Sequence, residues 1–371
     1  MISATVVLVL FGVLVTCLVL GVPMAFALGL AGAATIATAS GVSFLVQIPL
    51  TLQRALSDPV ILAVPMYILM GEILYRGKVG QQLFDVANAW VGRLRGGTGL
   101  SAVSAFTFFA AIVGSSMASV LTVGRIALPE MAKMGYPKHL SYGLSVVGGS
   151  LGILIPPSIP LIIYASLAEV SPAQLFLAGV VPGLLIAALL GAWAMIEAPR
   201  VSVGTAPEWS LRHALGISVG ALPALALPVV VLGGIYLGIY TPTEAAGVGV
   251  VLALVLTVGL LRTLTVRELP DVLILATRHS AALLAIVVGA LVLGSALTLI
   301  GLPQFLARYV MQSDLSPWVV LLVMNIVWII LGCFLEVISI ILITVPIFVP
   351  VAVALHFDPI WFGIIMVINM E

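Results

Sequence analysis

Three short stretches hold the residues that could do chemistry. Residues 148–160 read Gly-Gly-Ser-Leu-Gly-Ile-Leu-Ile-Pro-Pro-Ser-Ile-Pro, with Pro156, Pro157 and Pro160 within five positions. Proline has no amide hydrogen, so carbonyls near Gly152 to Ile155 lose their helical donors. Such carbonyls are hard oxygen ligands suited to a dehydrated Na⁺, and the N-terminus of the half-helix that follows attracts an anion. One proline would suit a kinked helix; three after three glycines favour an unwound segment. Residues 114–119 read Gly-Ser-Ser-Met-Ala-Ser, a polar tip whose hydroxyls and carbonyls could close round the same cation. Small residues also permit close helix packing, the plainer reading for Ser119. Glu336 is an acid in an otherwise apolar run, and an ionisable group at membrane depth is a functional hypothesis by default. Arg125 has Glu72, Glu130 or a substrate carboxylate as candidate partners, a structural pair being the plainer assignment.

These groups need a membrane-embedded frame, and the composition supplies one. Of 371 residues, 62% are hydrophobic and 8% charged, against roughly 25% charged in a soluble domain. That excludes an ordinary globular enzyme, a disordered chain and a nucleic-acid binder. The length allows on the order of ten to twelve crossings of about 20 residues each. Cys17 and Cys333 sit far apart in apolar runs, and the four histidines show no metal-ligand spacing. Residues 71–79 only approach a phosphate-binding loop, with Val79 where a Mg²⁺-binding hydroxyl belongs. No enzyme chemistry is expected, and the energy source is expected to be an ion gradient or another subunit. The fold class is an all-α polytopic membrane protein.

Positive charge gathers in four stretches, at 76–98, 132–140, 199–213 and 262–279, which hold 11 of the 14 Lys and Arg residues. An excess of these residues marks cytoplasmic loops. The N-terminus is therefore expected outside, with residues 2–20 a retained first helix and 22–40 the second. Residues 80–94 read as an interfacial amphipathic helix presenting Leu83, Val86, Trp90 and Leu94. Further spans are expected at 59–75, 141–168, 173–197, 215–239, 243–261 and 280–300.

Residues 99–131 break the alternation, because both flanks are basic and the interior is apolar. A 16-residue helix over 99–114 reaches about 24 Å, short of the ~30 Å core. The spacing predicts a re-entrant hairpin, since irregular backbone at membrane depth needs protein or a water-filled cavity around it. A similar pattern recurs over 317–350, with Gly332 in the place of Gly114 and Gly363 in the place of Gly143. By the alternation the second hairpin enters from the opposite side, which makes an inverted repeat, an arrangement of many secondary transporters. Four segments follow: N-terminal scaffold helices (1–58), a first transport repeat with hairpin 99–131 (59–168), further scaffold helices (169–279) and a second repeat with hairpin 317–350 (280–371).

Together, the residues from Gly148 to Ser158 with their Leu-Gly-Ile-Leu-Ile-Pro-Pro-Ser core, the run Gly-Gly-Ile-Tyr-Leu-Gly-Ile-Tyr-Thr-Pro-Thr-Glu-Ala-Ala from Gly233, and Asp-Pro-Ile-Trp-Phe-Gly from Asp358 resemble one family. It is the large membrane subunit of tripartite ATP-independent periplasmic (TRAP) transporters, and the resemblance covers essentially the whole chain. It implies an elevator-type Na⁺ symporter of the bacterial inner membrane, with no cofactor beyond the coupling ion. The implied partners are a small four-helix membrane subunit and a periplasmic binding protein that delivers an organic acid anion, a C4-dicarboxylate or related carboxylate. By the same resemblance Ser115, Ser116, Gly149, Gly152, Ile155, Pro156 and Pro157 would bound one Na⁺ site. Ser158 and Glu336 would face substrate, and Gly332, Thr344 and Asn369 would contribute to a second ion site. Arg125 stands where a small residue is usual in the family and joins the substrate-facing candidates. A facilitative channel would instead predict a continuous polar stripe, and an assembly scaffold no polar breaks at the midplane.

The counterpart of Pro156 would fall 13 residues after Gly363, past Glu371. A last helix from Pro359 would also be too short to cross the core, so the second repeat is expected to be incomplete.

Overall fold

The computed structural model describes residues 4–198, 210–313, 315–333 and 335–370. Arg200 in the third basic stretch, Phe334 in the second tip and Glu371 lie outside the described residues. Those described are helical and turn structure without a strand.

Helices α1 (Ala4–Val19) and α2 (Met24–Ser40) are separated by Gly21 at φ 71° and Pro23. A 3₁₀ turn (Val42–Val46) leads into α3 (Gln47–Leu56), where the sequence reading expected only an outer stretch. Then come α4 (Pro59–Arg76), α5 (Val79–Val91), α6 (Gly97–Val113), α7 (Ser116–Lys133), α8 (Lys138–Leu154) and α9 (Ile159–Leu167). Long helices α10 (Pro172–Glu197) and α11 (Leu211–Tyr236) follow. Helix α12 (Pro242–Leu254) starts with a capping box between Thr241 and Glu244 and ends in a π turn (Val255–Leu260). The series closes with α13 (Leu269–Leu299), α14 (Leu302–Gln312), α15 (Pro317–Gly332), α16 (Val337–Ala354) and α17 (Pro359–Ile368).

Among the described residues seven helical stretches are long and apolar enough to cross a membrane. They are Pro59–Arg76, Lys138–Leu167, Pro172–Glu197, Leu211–Tyr236, Pro242–Leu260, Val266–Leu299 and Val337–Ala354. Shorter apolar helices, among them α1, α2, α6, α15 and α17, account for much of the remaining hydrophobic sequence. On α5 the expected stripe is part packed and part exposed. Its packed side is Val79, Gly80, Leu83, Phe84 and Ala87, while Trp90 and Leu94 are exposed. Gly80 allows a close approach on this side: a Cβ there would lie 2.6 Å from Thr122 Cγ2 and 3.7 Å from the Phe109 ring.

The chain forms two compact units. One gathers Ala63–Leu161 and Phe176–Thr277. In it α6, α7 and α8 pack on one another around fully buried Phe106 and Phe109. Gly148 admits the Phe106 ring, since a Cβ there would sit 2.7 Å from Cδ2. Without a hydrophobic drive between helices in lipid, this close packing is what holds the bundle together. The Tyr67 hydroxyl donates to the Pro242 carbonyl at 2.9 Å and ties α4 to the head of α12.

The other unit gathers the chain up to Leu62, Ile162–Leu175 and Arg278–Met370. Gly32 and Gly289 bring α2 and α13 into backbone contact, Gly289 Cβ being placeable only 2.1 Å from the Ala25 carbonyl oxygen. Trp328 of α15 is wholly buried, with Phe348 and Phe362 rings at 5.7 and 5.3 Å. The Tyr164 hydroxyl donates to the Pro359 carbonyl at 2.5 Å, and its ring lies over Gly363, where a Cβ would meet it at 2.5 Å. Gly143, expected from the sequence to correspond to Gly363, receives the ring of Trp193, 3.2 Å from a Cβ built there.

Candidate functional site: a helical tip against an unwound segment

Helices α6 and α7 form a hairpin that turns at Gly114 and Ser115. Gly114 adopts φ 67°, a left-handed conformation that favours glycine. A Cβ at Gly114 would lie 2.1 Å from the Pro157 carbonyl oxygen, so a side chain is also excluded by contact. Ser115 caps α7, its hydroxyl accepting from the Ala118 amide at 3.5 Å. Its carbonyl accepts from the Ser119 amide at 3.1 Å and the Ser119 hydroxyl at 2.9 Å. Ser119, read from sequence as a packing residue, therefore fastens the tip. Ser116 heads α7, half-buried.

Across from the tip, α8 ends at Leu154 and α9 begins at Ile159, with Leu151 to Pro160 buried throughout. The Pro156–Pro157 peptide is cis. The Ile155 amide donates to Leu151 at 2.8 Å and closes the last turn of α8. Position 156 is proline, so Gly152 has no i+4 donor; position 157 is proline, and the Ile153 carbonyl is taken instead by the Ser158 hydroxyl. The Ile159 amide, which would serve Ile155 in a continuous helix, donates to Gly114 at 3.2 Å. Among the described residues the carbonyls of Gly152, Leu154 and Ile155 accept no hydrogen bond.

Tip and break are in direct contact. A Cβ at Gly152 would lie 2.8 Å from the Ser115 carbonyl oxygen, and one at Gly149 would lie 2.0 Å from Val120 Cγ2. The structure thus gathers Ser115, Gly149, Gly152 and Pro157 at one place. The Ile155 side chain packs toward α10, 2.6 Å from a Cβ built on Gly183, while its backbone stays in the break. Ser158 is fully buried, and its hydroxyl also accepts from the Leu161 amide at 3.4 Å. That hydroxyl caps the start of α9 from within the break.

Arg125 is exposed and donates to the Tyr75 hydroxyl at 3.0 Å, while Glu130 pairs with Lys133 at 2.7 Å. A tyrosine hydroxyl is therefore its hydrogen-bond partner. Sequence spacing did not single out Tyr75, which lies 50 residues away.

In the second half, Gly332 and Glu336 are exposed, and a Cβ at Gly332 would meet nothing within 4 Å. Glu336 occupies the cap position of α16 without a side-chain cap bond. Thr344 is buried, donates to Ile340 at 2.7 Å and accepts from Trp328 Nε1 at 3.2 Å. Asn369 donates to the Ile365 carbonyl at 3.0 Å and to Asn325 Oδ1. Among the described residues no hydrogen bond joins Gly332 or Glu336 to Thr344 or Asn369. Asn325 and Trp328 were missed in the sequence. A lone Asn within the apolar α15 was the available signal for the first; nothing marked the second.

Among the described residues no group of three or more His, Cys, Asp or Glu side chains is placed to hold a metal ion. Any cation site built at the tip and break would rest on carbonyl and hydroxyl oxygens, the hard uncharged donors that an alkali ion accepts.

A bundle of membrane-length helices around one buried break is a polytopic membrane protein. A comparison with known families makes this specific: residues 11–371 match the model of the tripartite ATP-independent periplasmic transporter, DctM component. The chain belongs to the DctM family and is a solute transporter subunit, a multi-pass protein of the inner membrane. It is 43% identical to the C4-dicarboxylate TRAP transporter large permease protein DctM of Pseudomonas aeruginosa, over 93% of this chain and 80% of that protein. It is 38% identical to the protein of the same name from Rhodobacter capsulatus, over 98% of this chain and 86% of that one. With the isethionate TRAP transporter permease protein DctMQ of Oleidesulfovibrio alaskensis it shares 34% identity, over 98% of this chain and 57% of that protein.

Proposed function

We propose that this chain is the large permease subunit of a Na⁺-coupled symporter that imports a small organic acid anion, a C4-dicarboxylate or a related carboxylate. The observation that carries the reading is the buried break at 152–157, where proline removes donors from a set of carbonyls and the hairpin tip is packed against them. Uncompensated carbonyls in a membrane interior are costly unless something satisfies them, and a dehydrated cation does so. Neutralising that cation's charge in turn favours an anionic substrate nearby, which couples the two fluxes. Two of the three relatives above carry C4-dicarboxylate in their names, which supports the substrate class.

The subunit works with a periplasmic binding protein that delivers the anion and with a small membrane subunit. The N-terminus lies on the periplasmic side, a reading supported by the four basic stretches. The two hairpins are re-entrant, and transport proceeds by elevator-type movement of the elements that carry them.

The test is uptake into proteoliposomes holding this chain and its membrane partner, with loaded binding protein outside. Radiolabelled succinate, other C4-dicarboxylates and a panel of organic acids serve as probes. An inward Na⁺ gradient without ATP should drive accumulation; equal uptake with K⁺ replacing Na⁺ on both sides would overturn the symport.

A further inference from the structure

A basic corner of the unit that holds the first tip has no part in the transport reading. The membrane-length stretch Pro59–Arg76 ends there at Arg76, and Pro242–Leu260 ends two residues before Arg262. A 3₁₀ turn, Val266–Glu268, follows and carries Arg267. Arg76, Lys78, Arg262 and Arg267 are all exposed.

Backbone contacts assemble the corner. Gly77 packs on Thr257 of the π turn, where a Cβ would lie 2.2 Å from Cγ2. The Thr257 carbonyl accepts from the Thr263 and Leu264 amides at 2.9 and 3.2 Å, which folds the chain after Arg262 back onto the same residue. Arg262 thus lies in a loop anchored on Thr257, while Arg76 and Lys78 flank the glycine that abuts it. The Glu268 carboxylate lies within electrostatic reach of both Arg76 and Lys78, which brings the turn of Arg267 to the same place.

The backbone holds these charges where they are. Lys78 and Arg262 adopt φ 57° and 52°, left-handed conformations uncommon for any residue but glycine. Glu268 is engaged within its own turn, its Oε2 accepting from the Thr265 amide at 2.8 Å and the Thr265 hydroxyl at 2.7 Å. Among the described residues none of the four basic side chains forms a salt bridge. Four cations stand against two acids, Glu268 and Asp271 of the first α13 turn, and the excess attracts an anion. Beside them Val255, Leu260 and Val266 are each more than half exposed. An anion with acyl chains meets both surfaces, whereas a soluble anion meets only the charged one.

We propose that this corner binds the headgroup phosphate of an anionic phospholipid, with Arg76, Lys78, Arg262 and Arg267 as its cationic rim and Val255, Leu260 and Val266 against the acyl chains. Basic pockets between membrane helices take such headgroups, and each Lys or Arg at the surface strengthens the attraction about fivefold. The site goes beyond the transport reading. Lipid binding is measured without uptake, so the two stand or fall separately.

The test is native mass spectrometry of the complex of this chain with its membrane partner, titrated in detergent with dioctanoyl phosphatidylglycerol. Dioctanoyl phosphatidylcholine and glycerol 3-phosphate are the zwitterionic and soluble comparisons. Phosphatidylglycerol should bind most tightly. Lys78→Gln and Arg262→Gln should each raise its Kd about fivefold, and the double variant should raise it further. Lys78→Arg keeps the charge and should bind as wild type does. Arg212→Gln removes an exposed charge from a different basic stretch and should also leave Kd unchanged. Equal weakening by Arg212→Gln would reveal a diffuse charge effect and overturn the site. Wild-type affinity in the double variant, or either comparison compound binding as tightly as phosphatidylglycerol, would overturn it too. Loss of the membrane partner from the double variant at unchanged lipid affinity would make the corner a protein contact instead. Should the double variant fail to accumulate, the single exchanges carry the same comparison, and a wild-type Kd in both would overturn the proposal.

Discussion

The two hairpin tips are built by different means. The first, at Gly114 and Ser115, is made by backbone: a left-handed glycine, a carbonyl pressed against Gly152, and an Ile159 amide diverted to Gly114. The second opens to its surroundings at Gly332 and Glu336, and the polar order near it is made by side chains on α15, α16 and α17. A backbone-built site fixes carbonyl positions through what the residues lack, namely a Cβ or an amide hydrogen. The side-chain order of α15, α16 and α17 depends instead on pairs that must find each other across 16 or 44 residues. The first kind tolerates almost no substitution at its glycines; the second should fail one contact at a time.

The largest effect should separate the aligned glycines. Gly114→Ala forces an L side chain into a left-handed conformation and onto the Pro157 carbonyl, whereas Gly332→Ala meets open space. Overpacking of this kind costs about 1–3 kcal/mol, while Gly332→Ala should stay within about 0.5 kcal/mol of wild type. Thermal unfolding of the two purified variants checks this. Equal losses would erase the contrast between the tips.

The next effect concerns the orphaned carbonyls. Pro156→Ala returns an amide hydrogen at the position where Gly152 would find its helical donor. Na⁺-driven uptake should then show a half-saturation for Na⁺ raised by about tenfold or more, as competition for a ligand implies. An unchanged Na⁺ dependence at normal abundance would show that the Gly152 carbonyl is not a ligand.

Polar groups at the two tips come third. Ser116→Ala and Glu336→Ala should each lower uptake by about tenfold while leaving membrane abundance near wild type, because a polar group at membrane depth is retained for use. Immunoblots beside the uptake assay separate the two quantities. Normal uptake in both variants would return these residues to packing roles.

The smallest effect is expected at Arg125. Its exposed bond to Tyr75 is of the kind worth about 1 kcal/mol or less. Arg125→Gln and Tyr75→Phe should therefore both keep uptake within about twofold of wild type. A loss confined to Arg125→Gln would instead give the guanidinium a part in handling the anion.

How much was legible in the sequence follows from the same contrast. The first break was readable because prolines and glycines declare their backbone consequences at any position, and residues 152–157 behave as their types require. The helix pattern was readable from apolar runs, so α1, α2, α4, α10 and α15 begin and end within a few residues of the expected spans. Amphipathic α3 was not, since a short helix with a polar side resembles an outer loop when only hydropathy is followed. The packed side of α5 was not legible because Gly80, part of it, has no side chain to count. Tyr75 beneath Arg125 and the Asn325–Asn369 pair were invisible for a third reason: they are long-range partnerships between residues unremarkable where they stand. Ser158 shows the remaining gap, because a hydroxyl suited to a substrate is equally suited to the Ile153 carbonyl that proline leaves without a donor.

The central claim is that the first tip and the break it covers form a seat for the coupling ion. Its most direct test is binding of radiolabelled Na⁺ to the purified complex, comparing wild type with Gly152→Ala and Gly332→Ala. The account predicts that Gly152→Ala, whose new methyl group would sit 2.8 Å from the Ser115 carbonyl oxygen, loses one Na⁺ component while Gly332→Ala retains it. Wild-type Na⁺ binding by a folded Gly152→Ala protein would contradict it.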